Sequence, residues 1–528
     1  MKRWGLLERS SERVTKSVLR TLCTRRRYLI CEKTYQPIRT LTRPLAVDPA
    51  GKEHRLLAGE QLAMPQQELT PLLPHASKPS LLSLSRELLA LAAPVVGRYL
   101  MYVGSNLLQI LFAPRYSSAS EDPDSLLAAV SLSNMFANVT CLSVLVGAAA
   151  AVDTLGSQYH GAGNTRAVGL TLQRSLCLLS LLAAALCPLW LSAEPLFLRL
   201  GVDARVCEVV GVLLRIRALS LPADVLRESF EAYLMSLGIM GPPLLGSLTS
   251  NLVQVLANLV FIAWGGDYRC LGLSFAISAY LGVAVQIAMS QPHPSVRNTL
   301  QPLSSDALSN WDELIELGVP SVLQICSEWW AFEILTVMAS FLGTASVDAQ
   351  TIVFQAIIIC FMAPLGIGLA ATTLVGTALG NGDVTLSKRI AGLAIGVVAV
   401  LEILIALSVL LFGGSFMTLF ATDASVVSLA RATVPCLAFY TVLDGLQGVA
   451  AGVLKGAGKQ RLGATLNIIA FYAIGLPMAW FLCFSLGMGV RGLLLGVTFG
   501  TVFQATSLAY LLIFAQDHIF QPYIKLPI

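Results

Sequence analysis

Twelve apolar runs, each long enough to cross a bilayer, leave this chain few folds to choose from. They lie near Leu88–Ala113, Leu126–Val152, Val168–Leu191, Val206–Leu234, Leu244–Trp264, Leu271–Met289, Leu314–Leu342, Ala349–Val375, Ile390–Phe412, Val426–Leu454, Leu462–Phe484 and Val490–Phe514. About 20 helical residues cross a hydrocarbon core of ~30 Å. Lipid offers the backbone no hydrogen-bond partner, so each run must satisfy its own amides, and helix is the form that does so. Only 12% of the 528 residues are charged, about half the ~25% of a soluble domain. The reading is an all-α integral membrane protein with twelve transmembrane helices.

Charge distribution orients the helices. Fourteen of the 35 Lys and Arg fall in residues 1–55, against five acids. The net charge of +4 therefore describes a basic tail on a nearly neutral body. By the positive-inside rule this tail is cytosolic, as are the connections holding Arg166, Arg297, Lys388, Arg389, Lys455, Lys459, Arg461 and the terminal Lys525. Both termini are expected in the cytosol, in a plasma membrane or a vacuole-type endomembrane. Residues 1–79 read as a disordered cytosolic tail, and Trp4 to Ile30 has the spacing of a basic amphipathic helix. An organellar transit peptide is the rival, but Glu8, Glu12 and Glu32 do not suit it. The Pro-containing stretch 291–313 divides an N-lobe (80–290) from a C-lobe (314–516), and 517–528 form a short tail.

The two halves repeat. Thr154 to Asn164 (TLGSQYHGAGN) aligns without a gap on Thr373 to Asp383 (TLVGTALGNGD), an offset of 219 (373 − 154). Pro94 pairs with Pro320 and Gly238 with Gly458. Six spans per half is an even number, so the halves share one orientation and an axis along the membrane normal. Such repeats put a cavity at the lobe interface near mid-depth and permit alternating access by rocking of the lobes.

Polar residues inside the spans are the candidate site. Glu328 sits at the centre of the seventh run, where a carboxyl costs roughly 2.5–3.5 kcal/mol on insertion scales. Asp444 lies at similar depth in the tenth. Removal from water disfavours the charged carboxyl, and a second carboxyl nearby adds to that. Such a pair can carry a proton across a transport cycle; a neutral, hydrogen-bonded structural pair is the plain alternative. Gln324 shares the Glu328 face, and Glu333, about 140° around the helix, does not. Trp329, Trp330 and Tyr472 are aromatic lining candidates for flat or cationic ligands. Asn467 and Gln355 join them in the C-lobe; Gln109, Asn134, Asn138 and Arg98 are the N-lobe candidates. The repeat sets Tyr102 opposite Glu328 and Asp224 opposite Asp444. In the fourth run Arg227 and Glu231 have i,i+4 spacing for a pair, and Asp224 can pair with Arg227 or share its face with Glu228.

Several function classes drop out. No Gly-x-x-x-x-Gly-Lys-Ser/Thr loop is present, so energy must come from an ion gradient. The 11 Cys form no Cys-x-x-Cys pair and no metal spacing. No nucleophile or His/Asp metal constellation supports an enzyme. No cofactor and no nucleic-acid partner is expected, only a small organic substrate and the bilayer, for a chain that acts as a monomer.

At these residues the chain resembles the multidrug and toxin extrusion (MATE) family, of eukaryotic type. Asp153 to Asn164 and Val375 to Asp383 resemble its second- and eighth-span motifs, and Ser327 to Glu333 (SEWWAFE) its seventh-span segment. Leu443 to Val449 with Gly456-Ala457-Gly458 resembles the tenth span, and Asn467 to Pro477 the eleventh. The resemblance runs over about 80–515. It implies a V-shaped, twelve-helix antiporter expelling organic compounds in exchange for protons, with sodium less favoured. It places Glu328 and Asp444 at the family's C-lobe acidic site. Bacterial members often carry an acid in the first span; here Leu88–Ala113 has none. Animal organic-cation members tend to carry one in the eighth span, where this chain has Gln355. The expected function is export of xenobiotics or secondary metabolites by proton exchange. The alternatives are a lipid-linked precursor flippase using Arg98, Arg215, Arg217 and Arg227, and a sodium-coupled exporter of organic anions or cations.

Overall fold

A computed structural model describes residues 79–116, 123–420 and 423–524. Residues 1–78, with the expected tail and its Trp4 to Ile30 stretch, lie outside the described residues. So do Glu121, Asp122 and Lys525. All described residues belong to one compact unit, Leu69–Ile528.

The secondary structure of the described residues is helical. We label the spans α1 (Leu81–Phe112), α2 (Ser125–Gly161), α3 (Thr165–Leu191), α4 (Ala204–Arg217 continued by Leu221–Ser236), α5 (Gly241–Ala263) and α6 (Arg269–Ser290). The second half holds α7 (Asp312–Ser340), α8 (Thr344–Gly380), α9 (Val384–Met417), α10 (Val434–Gly456), α11 (Gln460–Ser485) and α12 (Val490–Phe514). Eleven of these are long and apolar enough to cross a membrane by length and composition. The twelfth, α4, is interrupted by a tight turn at Ala218–Ser220 and carries the charged run Arg215 to Glu231. Short helices at Ala193–Arg199, Pro294–Thr299, Ala424–Ala432 and Gln516–Ile519 decorate the ends.

The repeat is visible in how the helices stop and restart. Gly163 and Gly382 both adopt the left-handed backbone (φ 72° and 79°) that side chains disfavour. Directly after them, Asn164 accepts from Ala167 N at 3.0 Å and Asp383 accepts from Leu386 N at 2.8 Å, capping α3 and α9. Gly238 and Gly458 are left-handed as well (φ 73° and 72°), ending α4 and α10. Equivalent turns in the two halves thus use the same chemistry.

The seam between the halves is built from α1 against α8 and α7 against α2. Leu84, Leu88 and Ala92 of α1 are buried among Ile367 to Leu379 of α8 and the facing side of α9. Leu314 and Leu317 of α7 are buried with Ala148, Ala151 and Leu155 of α2. Small residues allow the close approach. A Cβ on Gly147 would stand 2.6 Å from the Val322 backbone, and one on Gly161 or Gly380 would overlap the Thr377 or Gln158 carbonyl.

The connection 291–313 is tied to the first half. Gln173 of α3 donates to the carbonyls of Gln301 (3.1 Å) and Pro302 (2.9 Å) and accepts from Ser304 N (3.1 Å). Tyr233 of α4 meets Thr299 Oγ1 at 2.5 Å. A proline-containing connection is therefore a strap lying on α3, not a free tether.

Candidate functional site

The second half carries an acidic site at mid-depth. Asp444, buried on α10, accepts from Tyr440 OH at 3.2 Å and from Gln447 Nε2 at 3.1 Å. Gln504 of α12 donates Nε2 both to Gln447 Oε1 and to Asn467 Oδ1, each at 2.9 Å. Asn467 of α11 passes the chain on, donating to the Gln324 carbonyl (2.7 Å) and to Ser327 Oγ (3.0 Å) of α7. Glu328 follows Ser327 directly and stands within electrostatic reach of Asp444. Amide side chains on three helices thus join Asp444 to the turn of α7 that presents Glu328. Such buried networks hold their members in one geometry because each unmade bond is costly.

A third carboxyl, Glu402 of α9, belongs to this neighbourhood and was missed in the sequence. It is 1% exposed and lies across Gly445, the residue after Asp444. The signal was a lone acid in the otherwise apolar run Ile390–Phe412.

The other C-lobe candidates spread around the site. Glu333, Gln355, Trp329 and Tyr472 are half-buried. Tyr472 lies in the π-helical segment Ile469–Gly475 and packs on the cluster around Phe332 and Phe471. The Gln324 side chain reaches Gly463 of α11. Trp330 is 43% exposed and donates Nε1 to the Val139 carbonyl of α2 at 3.1 Å, which makes it a seam residue.

The first half holds a different centre. Arg98 of α1 is 4% exposed, ion-paired with Glu231 of α4, and its guanidinium lies 4.2 Å from the Tyr99 ring. Arg227 contacts Asp224 and Glu228, each at 3.0 Å. The i,i+4 pairing of Arg227 with Glu231 is thereby replaced: α1 brings Arg98 to Glu231, and Arg227 pairs with Asp224 and Glu228 of its own helix. Arg217 donates to Asn134 Oδ1 at 2.5 Å and lies 4.4 Å from the Phe275 ring. With Gln109 and Ser133 these residues line a small cavity inside the lobe. Asn138 accepts from Tyr102 OH at 3.1 Å at the start of the π-helical turn Asn138–Leu142. Arg98 and the Asn134 Oδ1 are therefore occupied within the N-lobe itself, whereas Gln109 Nε2 and Asn134 Nδ2 are buried without a hydrogen-bond partner among the described residues.

Comparing the repeat-related aspartates separates the two centres. Asp224 is held by residues four before and three after it, Ser220 (3.0 Å) and Arg227 (3.0 Å). Asp444 is held from the same two positions by Tyr440 and Gln447. A cation faces one carboxyl and a neutral amide faces the other.

Two repeated six-helix halves with a small-residue seam and an unbalanced acidic site in one of them define a two-lobe membrane transporter. The MatE family model matches the chain twice, over residues 94–260 and 320–481, each match starting at one of the paired prolines. The human multidrug and toxin extrusion protein 1 is 32% identical over 425 residues, 80% of this chain and 73% of that protein. An uncharacterized transporter of Schizosaccharomyces pombe is 32% identical over 413 residues, 78% of this chain and 75% of that one. Among solved structures, the eukaryotic MATE transporter AtDTX14 superposes with a TM-score of 0.77 at 24% identity, covering 84% of this chain and 99% of that chain. The chain belongs to the multidrug and toxin extrusion family of membrane transporters.

Proposed function

We propose that this chain is a proton-coupled antiporter that exports small organic compounds, with Glu328 and Asp444 as the proton-carrying pair. The observation that carries this reading is the contrast at the repeat: Arg227 balances Asp224, whereas the partners of Asp444 are neutral. A carboxyl without a counter-charge, buried near another, is stable when protonated and must find water or a cation to ionise. In the outward state the pair takes up a proton and substrate leaves. In the inward state the proton departs and the deprotonated site accepts substrate. Of the residues named as lining candidates, Asn467 is hydrogen-bonded into the Asp444 network and to the Gln324 carbonyl, and Gln324, Trp329, Glu333, Gln355 and Tyr472 are the further residues assigned to the substrate path in this reading.

The hydrogen bonds across the seam support an outward-facing form. Lys455 donates to Asp153 at 2.6 Å, Thr154 to the Lys455 carbonyl at 2.8 Å, and Gln460 to Thr154 at 2.7 Å. Gln158 donates to the Gly456 carbonyl (2.9 Å) and accepts from the amides of Tyr523 (2.8 Å) and Ile524 (3.2 Å). With the termini cytosolic, this latched end is the inner one. The protein then works as a monomer in a plasma membrane or vacuole-type endomembrane, with 80–290 and 314–516 rocking about the seam. The lipid-linked precursor reading needs free arginines; Arg98, Arg227 and Arg215 are paired with Glu231, Asp224 with Glu228, and Glu194, which leaves Arg217, hydrogen-bonded to the neutral Asn134, without an acidic partner among the described ion pairs.

The test is efflux of a panel of organic ions from proteoliposomes under an imposed proton or sodium gradient. The expected result is transport driven by the proton gradient in the wild type and lost in Glu328→Gln and Asp444→Asn. Wild-type-like proton-driven efflux from Glu328→Gln overturns the scheme, and transport that follows sodium alone assigns the coupling ion differently.

A further inference from the structure

The third carboxyl has no place in a two-acid scheme. Glu402 is buried near the middle of α9, and its Oε2 has no hydrogen-bond partner among the described residues. Leaving a lone ionised carboxylate in that position is costly, because a buried charge needs a counter-charge or several donors. None of the facing groups among the described residues supplies one. From α10 the facing acid is Asp444, already bonded to Tyr440 and Gln447. From α8 it is the Cys360 thiol, which brings no positive charge. Arg431, on the short helix packed beside α9, donates Nε to the Gly414 carbonyl at 3.0 Å. Arg98 of α1 is paired with Glu231.

The approach of Glu402 to Asp444 is built into the sequence. A Cβ at Gly445 would fall within the Glu402 carboxyl, so glycine there lets the acid lie against the α10 backbone beside Asp444. The repeat gives the control. Counting from the equivalent caps Asn164 and Asp383, Glu402 corresponds to Ala183 (402 − 219), and counting from the paired glycines Gly238 and Gly458, Gly445 corresponds to Val225 (445 − 220). Ala183 and Val225 are both buried in the apolar core of the first half. One half fills this place with a small residue on α3 and a larger one on α4. The other reverses the sizes and puts a carboxyl there.

We propose that Glu402 is a further proton-binding carboxyl of the C-lobe, coupled to Asp444 across Gly445. Two carboxyls in such proximity do not ionise independently, so the pair titrates as a unit. A proton leaves Glu402 only when the opening of the lobe brings water or a cation to it. The role in transport rests on the antiport reading above; the proton site itself does not. If Glu402 discharges in each cycle, one more proton accompanies each substrate, and the attainable substrate ratio rises about tenfold per unit of pH gradient for that proton.

The experiment is an infrared pH titration of the full-length protein in lipid, following the carbonyl stretch of protonated carboxyls in wild type, Glu402→Gln, Glu402→Asp and Glu328→Gln. Glutamine has the shape of the neutral acid, so folding should be retained; Glu402→Asp keeps a carboxyl and guards against a misfolded variant. The expected result is that Glu402→Gln removes one titrating band, Glu402→Asp moves it, and the remaining titration becomes shallower. A wild-type titration left unchanged by both substitutions overturns the proposal. In parallel, the charge moved per substrate is measured from the membrane potential that halts proton-driven efflux of an organic cation dye. Glu402→Gln should move one charge fewer, and an unchanged value confines Glu402 to a fixed proton and overturns its coupling. Should wild type show the band but no proton-driven efflux, the site stands and the antiport reading falls.

Discussion

Asp224 and Asp444 show how one residue type acquires opposite uses. Each is held from the positions four before and three after it, yet the partner at the second position is Arg227 in one case and Gln447 in the other. Gln447→Arg should therefore turn Asp444 into a structural ion pair. Proton-driven efflux should fall to background while expression and thermal stability stay near wild type, measured by vesicle efflux and a melting scan of purified protein. The converse holds for Arg98. Removing it leaves Glu231 buried without its counter-charge, which costs about 3–5 kcal/mol for a broken buried pair. Arg98→Gln should lower the melting temperature and the surviving folded fraction, and adding Glu231→Gln should restore most of the loss. Glu328 and Asp444 were legible as acids in apolar runs. The partner of Arg98 was not, because it lies 133 residues away (231 − 98) and only the packing of α1 on α4 selects it.

At the scale of elements, the spans follow hydropathy closely and depart from it where charge or hydrogen bonding intervenes. Expected runs such as Val490–Phe514 coincide with helices. The fourth was expected as one span, Val206–Leu234, and is broken at Ala218–Ser220, where the helix turns to bury its charges inward. Three further departures are π-helical: Asn138–Leu142 in α2, and Ile469–Gly475 and Phe481–Ser485 in α11. The first two carry Asn138 and Tyr472, and widened turns of this kind often lie at functional sites. Hydropathy cannot register one extra residue in a turn, so these were not legible. The seam was legible as glycine motifs but not as a latch. Gly161→Ala and Gly380→Ala each push a methyl against a carbonyl of the opposite lobe, an overpacking of about 1–3 kcal/mol. Both should separate the latched ends, read as a longer spin-label distance between the α2–α3 and α8–α9 turns. They should also slow efflux, since the latched form becomes less populated.

For the whole molecule, the repeat fixes that two lobes share an axis but not which end is closed, because both states of a rocking transporter have one sequence. The seam supplies a direct handle on that motion. Cys326 of α7 donates Sγ to Ser143 Oγ of α2 at 3.3 Å, one side chain from each lobe and both buried. Ser143→Cys would put a second thiol at that contact, and a disulfide requires its sulfurs to close to about 2.05 Å. The movement needed is small compared with the separation that rocking would create. Oxidation of Ser143→Cys should therefore form a cross-link with Cys326 in the latched form and hold the lobes there. Efflux should fall to background on oxidation and return with reductant, while Ser143→Cys with Cys326→Ser should be insensitive to both. Mass spectrometry of a digest identifies the bond. A variant that is fully cross-linked at these two positions and still transports would mean that α2 and α7 move together, and the hinge would have to lie elsewhere than this seam.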